Sequence, residues 1–320
     1  MTGAPQVSGQ AIGIDVGGTK TAAARVDVDG TVLAREIVPT PADDMAATLE
    51  TMVKTARAVM TSDVLGVGIA AAGLVEAGTG ILRFSPNLAW RDVPLATHLE
   101  TELGLPIVAD NDNTAAVWGE YRFGAGRGHA DILLVGVGTG IGGGIVAGGK
   151  LFRGAHGFAA EIGHIVMDPS GPACGCGNRG CWEQLASGQA VTRAGRQAVL
   201  DGADSVLVDR SGGKAERVTG SMVTQAARAG DMVAISILTD VGRWLGTGIA
   251  GLVNILDPEI VVLAGGVAEA GDLLLQPARA GFRAAVEAVD HRPEVPLVLA
   301  KLGSDTGVVG AAALVLETPG

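Results

Sequence analysis

The chain has 320 residues, 48% of them apolar but only 3% aromatic, so its core must be built from Ala, Val, Leu and Ile, as one large domain or two of ordinary size. A formal charge of −11 argues against a polyanion-binding surface such as a nucleic-acid face, but leaves room for a small anion held on backbone N–H groups. The three cysteines lie close together in an odd-numbered set, which argues against a disulfide framework and for a reducing cytoplasm, and the first ten residues lack the basic, apolar pattern of an export signal.

Residues 11–16 predict a short apolar strand, Gly17-Gly18 a turn, residues 21–28 a second strand, Asp29-Gly30 a hairpin turn and residues 31–38 a third strand. The first turn carries Asp15-Val-Gly-Gly-Thr-Lys20. Backbone N–H groups at a Gly-Gly turn can cradle phosphate oxygens, Thr19 adds a hydroxyl, Asp15 is placed to hold Mg²⁺ through water, and Lys20 can offset phosphate charge. The spacing is not that of a Walker A loop, and alone it suits an ordinary hairpin turn equally well. A helix follows, begun by Asp43 and Asp44, with Met45, Leu49, Met52, Val53, Ala56 and Met60 on one face. Residues 64–70 form a buried strand and 106–109 a shorter one, ending at Asp110-Asn111-Asp112-Asn113 before a helix over 114–123. One of these four side chains suffices to cap the helix. A carboxylate among the others is placed to take a proton from a substrate hydroxyl, a role typically worth about 10²–10⁴-fold in rate.

The opening pattern then recurs: strand 132–137, turn Gly138-Thr139-Gly140, strand 141–147, hairpin turn Gly148-Gly149 and a third strand. Residues 132–149 are uncharged and long enough to span a membrane. Eight of these residues are glycine, however, so strand–turn–strand is the better reading. Gly138-Thr-Gly-Ile-Gly-Gly-Gly144 superficially matches a dinucleotide fingerprint, but it continues as a strand instead of opening a helix, which excludes that reading. Two Gly-Thr loops in two repeated halves favour phosphate binding and two related domains facing each other, with Asp112 near the crossover.

Glu161-Ile-Gly-His164 precedes Cys174-Gly-Cys176-Gly-Asn-Arg-Gly-Cys181. Three thiolates and one imidazole make a complete tetrahedral zinc shell with no open position, hence a structural rather than catalytic ion. Glu161 and His164 share a face if the segment is helical. Glu183 lies just past the last cysteine, so the loop is bracketed by carboxylates, either aimed at a polyhydroxylated ligand or solvated on the rim. Residues 201–218 are polar and patternless and predict an exposed loop. Residues 223–255 are mostly helical, and 260–264 form a strand ending at Gly265-Gly266, where a flat ring could lie against the backbone or the chain could simply turn. Residues 307–316 form a helix of small side chains.

The run Asp-x-Gly-Gly-Thr-Lys, Asn-Asp-x-x, Gly-Thr-Gly-x-Gly-Gly-Gly, Glu-x-Gly-His, Cys-x-Cys-Gly-x-x-Gly-Cys-x-Glu and Leu-x-Gly-Gly resembles the ROK family over about residues 11–316. Ser85-Pro-Asn-Leu-Ala-Trp90 is most similar to the bacterial, actinobacterial-type glucokinases within it. The resemblance implies an α/β, actin-like ATPase (ribonuclease H-like) fold: a smaller domain of residues 1–122 plus 305–320, a larger one of 123–304 bearing the zinc loop, and an interdomain cleft. It implies transfer of the ATP γ-phosphoryl group to the 6-hydroxyl of glucose, with Asp112 as base. Asn111, Glu161, His164 and Glu183 would bind the sugar, with Asn87 and the Gly73 backbone as further candidates, and His164 would serve zinc with its other nitrogen. Phosphates would lie on Gly17, Gly18, Thr19 and Lys20 and on Gly138, Thr139 and Gly140, and adenosine near Gly265 and Gly266. The metal ligands would be His164, Cys174, Cys176 and Cys181. One departure is Ala155-His-Gly-Phe-Ala-Ala160, where relatives often carry His-Thr-Gly-x-x-Gly-Glu. The family also implies a cytoplasmic homodimer or homotetramer. The alternatives are a kinase for another hexose (N-acetylglucosamine, N-acetylmannosamine, fructose or mannose), polyphosphate as donor, a non-catalytic sugar sensor, and a repressor. The repressors carry an N-terminal helix-turn-helix, for which about ten residues before the first strand leave no room.

Overall fold

A computed structural model describes residues 9–316, apart from residues 86, 87 and 89. The described residues divide into two compact units, one drawn from 9–134, 144–160 and 300–316, the other from 135–143 and 161–299.

The first unit is built on a five-stranded sheet. Strands β1 (Gln10–Val16), β2 (Lys20–Asp27) and β3 (Val32–Pro39) form an antiparallel meander, to which β4 (Val64–Ala71) adds parallel to β1. A three-stranded antiparallel sheet of very short strands follows: β5 (Leu74–Val75), β6 (Leu82–Phe84) and β7 (Arg91–Val93). Strand β8 (Ile107–Asn111) completes the first sheet in the order β3-β2-β1-β4-β8. Helix α1 (Met45–Val59) is capped by Asp44, whose side chain accepts from the Ala47 N–H, and it buries Leu49, Met52, Val53, Ala56 and Val59. Met45, expected on that face, is exposed because it starts the first turn, beyond the edge of the core. Helices α2 (Leu95–Leu103) and α3 (Asp112–Phe123) flank β8 in sequence.

The sheet strands β9 (Ile132–Val137), β10 (Ile141–Ala147), β11 (Lys150–Leu151), β12 (Ile260–Ala264) and β13 (Leu297–Leu299) pair in the order β11-β10-β9-β12-β13. This repeats the order of the first sheet, so the recurrence read from the glycine turns is a repeat of topology. The helices of the second unit are α4 (Trp182–Ala186), α5 (Gly188–Leu200), α6 (Val206–Ser211), α7 (Gly220–Arg228), α8 (Met232–Leu256) and α9 (Asp272–Ala285). The chain ends its described course in α10 (Thr306–Val315), which packs on β1, β4 and α3 in the first unit. That packing is very close: a Cβ on Gly68 would overlap the Ala311 carbonyl oxygen. Residues 201–218 are not the exposed loop expected. Ser205 caps α6, and Leu207, Ser211 and Val218 are fully buried. Two apolar anchors eleven positions apart are too sparse to register as periodicity. Among the described residues no helix is long and apolar enough to cross a membrane.

Candidate active site

In the first unit, β1 delivers Asp15 to the sheet end and the chain turns through Gly17 and Gly18, closed by the Gly17 N–H donating to the Lys20 carbonyl at 3.1 Å. Thr19 and Lys20 are exposed at the tip, and the Thr19 carbonyl accepts from the Thr40 N–H at 3.0 Å. Burial first, then the nearby charge of Asp112, pushes the Asp15 carboxyl up to about 6, against the opposing pull of Lys20. Two carboxylates crowded together with limited solvent have an excess of negative charge that a divalent cation would relieve.

The β8–α3 junction is a chain of hydrogen bonds. Asn111 is the helix cap: its Oδ1 accepts from the N–H groups of Asn113 at 2.8 Å and Thr114 at 3.2 Å, and its Nδ2 donates to the Gly73 carbonyl at 3.0 Å. One of the four consecutive polar residues thus does cap, and it is bonded to another sequence candidate. Asp112 opens the helix, with Oδ1 accepting from the Asn113 N–H at 2.9 Å and the Asn113 Nδ2 at 3.0 Å. Burial raises its pKa above the ordinary carboxylate value, against those hydrogen bonds. A carboxylate so placed is a stronger base than one in water. Asp110 is 4% exposed and pairs with Arg153, Nε to Oδ2, at 2.6 Å. Asn87 lies outside the described residues.

In the second unit, Glu161 is exposed and leads into a single 3₁₀ turn, Ile162–His164, where the His164 N–H donates to the Glu161 carbonyl at 3.2 Å. The Nδ1 of His164 lies 3.6 Å from the Cys174 Sγ, the Sγ atoms of Cys176 and Cys181 are 3.6 Å apart, and one ligand atom from each of the four residues lies within 4.8 Å of every other. Tetrahedral bonds of about 2.3 Å place sulfurs about 3.8 Å apart, so the set fits a zinc ion. Short backbone bonds shape the loop, from Cys174 N–H to the Asn178 carbonyl at 2.8 Å and from Gly180 N–H to the Pro172 carbonyl at 2.7 Å. Glu183, in the first turn of α4, has Oε1 3.1 Å from the Cys174 Sγ and 3.8 Å from the His164 Nδ1. Its other oxygen lies where a Cβ on Gly140 would stand. Glu183 thus touches both the cysteine cluster and the Gly138-Thr-Gly140 turn.

That turn is tied down by the start of α5: the Gly138 carbonyl accepts from the Gly188 N–H at 2.9 Å and the Thr139 carbonyl from the Gln189 N–H at 3.2 Å. Gly265 has φ +89° and lies against the Val137 backbone, so the β12 turn abuts the end of β9. Gly138, Thr139 and Gly266 line one cavity of about 950 Å³, large enough for a nucleotide. Sequence reasoning missed its polar helical walls, Gln189, Thr192, Arg193 and Arg196 of α5 and Ser221, Thr224, Gln225 and Arg228 of α7. Each set follows i, i+3, i+4, i+7, a polar stripe on one helix face that could have been noticed. Arg193 is held by Gln184, and Arg196 by the Val218 and Glu216 carbonyls at 3.2 and 3.3 Å.

Residues 11–318 match the ROK family. The chain is 42% identical to the glucokinase of Streptomyces coelicolor over 97% of its length and 98% of that protein's. It is 37% identical to the glucokinase of Thermotoga maritima, covering 97% and 98%. Among solved structures, a ROK family glucokinase from Streptomyces griseus in complex with glucose and AMPPNP is 42% identical and superposes with a TM-score of 0.87, covering 96% of this chain and 99% of that one.

Proposed function

The chain belongs to the ROK family, with the actin-like kinase fold and its mixed α/β sheets, and we propose that it transfers the γ-phosphoryl group of ATP to the 6-hydroxyl of glucose. The observation that carries this reading is a buried carboxylate at a helix start, Asp112, in a chain that also holds a nucleotide-sized cavity lined by Gly138 and Thr139 and that is similar to glucokinases along nearly its whole length.

Asp112 takes the proton from the 6-hydroxyl as that oxygen attacks the γ-phosphorus. The new P–O bond forms as the bond to the β–γ bridging oxygen breaks, and ADP leaves. Phosphoryl transfer of this kind depends on positioning and electrostatics more than on covalent chemistry by the protein. Glu161, His164, Glu183 and Asn111 position the sugar, with Asn87 and the Gly73 carbonyl in support. Because Asn111 spends its side-chain oxygen capping α3, it acts on the sugar chiefly by fixing the junction that carries Asp112. The turns at Gly17, Gly18, Thr19 and Lys20 and at Gly138, Thr139 and Gly140 hold phosphates, with adenosine against Gly265 and Gly266. Mg²⁺ would sit with the phosphates near Asp15 and neutralise their charge.

His164, Cys174, Cys176 and Cys181 would hold one structural zinc ion, their four ligand atoms filling its coordination positions, and it would keep the loop folded. With Nδ1 turned to the sulfurs, the His164 Nε2 is left to face the sugar. The remaining parts of the reading are two domains divided at 1–122 with 305–320 and at 123–304, a cytoplasmic location, a role in glycolysis, and a homodimer or homotetramer. The test is to incubate the protein with Mg-ATP and glucose and identify the product by ³¹P NMR. A phosphate monoester on carbon 6 supports the reading, and transfer to another position or to no sugar refutes it.

A further inference from the structure

Asp110 immediately precedes the cap Asn111 and the proposed base Asp112, yet neither it nor its partner has a place in the chemistry above. Asp110 is 4% exposed, with Oδ1 accepting from the Asn111 N–H at 2.9 Å and Oδ2 from the Arg153 Nε at 2.6 Å. Burial raises its pKa in spite of the guanidinium. A buried charge of this kind is costly, and removing its one charged partner is far more disruptive than breaking a surface pair.

Arg153 stands on the connection that follows β11. This connection is pinned at a second point, where the Ala77 N–H donates to the His156 carbonyl at 3.1 Å, and Gly157, with φ +95°, packs against the backbone of Val75 and Ala77. The Ala159 N–H closes back on the Arg153 carbonyl at 3.2 Å. From there the chain runs directly into Glu161. One guanidinium therefore joins the strand end that carries Asp112 to the connection that ends at Glu161.

We propose that Arg153 and Asp110 are a positioning pair for the acceptor side of the reaction, setting the Glu161 connection against the β8–α3 junction so that the sugar hydroxyl meets Asp112. The inference rests on the reading of Asp112 as base and Glu161 as sugar ligand. Neither residue touches substrate; both act through their neighbours. The cavity assigned to the nucleotide is lined by neither, so the donor side should not respond to their loss.

The experiment is steady-state kinetics on Arg153→Gln, Asp110→Asn, the double variant and Arg153→Lys, with ATP and with whichever hexose gives the wild type its highest kcat/KM. Small displacements of reacting groups cost up to about 10²-fold. Each neutral single variant should therefore lose about 10–100-fold in kcat/KM for the hexose while KM for ATP stays within about twofold. The double variant should be no worse than the worse single one, because both remove the same link. Arg153→Lys, which keeps the charge but not the planar fork, should recover part of the loss. Hexose kinetics within about threefold of wild type, an ATP KM rising in step with that for the hexose, or losses that multiply in the double variant would overturn the proposal. Should Arg153→Gln not fold, Asp110→Asn and Arg153→Lys carry the same test. A wild type that prefers a sugar other than glucose would overturn the substrate assignment and leave the pair to be judged on the preferred sugar.

Discussion

Asp112→Asn removes the proposed base and almost nothing else. The new amide oxygen should still accept from the Asn113 N–H and Nδ2, which lie 2.9 and 3.0 Å from the Asp112 Oδ1, so the start of α3 keeps its geometry. Alanine at this position would delete both bonds, each worth about 1 kcal/mol, and would confuse a loss of fold with a loss of chemistry. A positioned base contributes about 10²–10⁴-fold, so kcat should fall by that factor, about 3–5 kcal/mol in the barrier. KM for ATP should be unchanged. Because burial raises the Asp112 pKa in the folded protein, its charged form destabilises the fold once pH exceeds the unfolded value. The neutral variant should therefore melt at the same temperature or higher at pH 7.5. The base works only when deprotonated, so wild-type kcat/KM should fall with decreasing pH through a midpoint raised from the ordinary Asp value, and that limb should vanish in the variant. The assay is coupled ADP release across pH, beside thermal melting. A variant that keeps more than about a tenth of wild-type kcat, or retains the acid limb, removes Asp112 as the base.

Asp15 offers a sharper stability test, because its carboxyl is pushed up to about 6 from 3.8. Between these values the native state binds more protons than the unfolded one, so without nucleotide and metal, stability should decline as pH rises from about 4 to 6. Asp15→Asn should flatten that decline and gain about 2 kcal/mol at pH 7.5 after allowance for partial exposure, while kcat drops; a steeper decline in the variant contradicts the assignment. Elemental analysis of protein purified without chelator should find one zinc per chain, and stripping it with a strong chelator should lower the melting temperature; finding no metal, or no change on stripping, removes the zinc site. Gly266 has open space where a Cβ would stand, whereas a Cβ on Gly265 meets the Val137 backbone at φ +89°. Gly266→Val should raise KM for ATP but not for glucose, and Gly265→Ala should cost about 1–3 kcal/mol of stability; the reverse pattern would place the adenosine elsewhere.

The meander β1–β3 and its recurrence at β9–β11 were legible because paired glycines punctuate strands whose alternation is clear. The cluster of His164 with Cys174, Cys176 and Cys181 was legible because three cysteines and one histidine at short spacing have few other uses. The β5–β7 sheet was not legible: strands of two or three residues cannot display alternation. Helix α9 carries Pro277 and Gly281, which broke its periodicity on paper, although its buried face of Leu274, Leu275, Ala278 and Phe282 keeps helical spacing. At the candidate site, the residue pattern alone left open which of the four polar residues caps the helix, and the hydrogen bonds show that it is Asn111, while Asp112 as base came only from the family resemblance. The α5 and α7 walls were missed because a polar stripe on a helix ordinarily faces water, and only the fold turns these two toward one cavity.

The most direct measurement is kcat/KM for a panel of hexoses with Mg-ATP, read by ADP release. The proposed function, in a chain similar to glucokinases, leads us to expect glucose first, with N-acetylated hexoses and mannose well behind. Absence of turnover with every sugar, in protein that carries its zinc and binds ATP, would contradict the proposal that this chain is a glucose kinase.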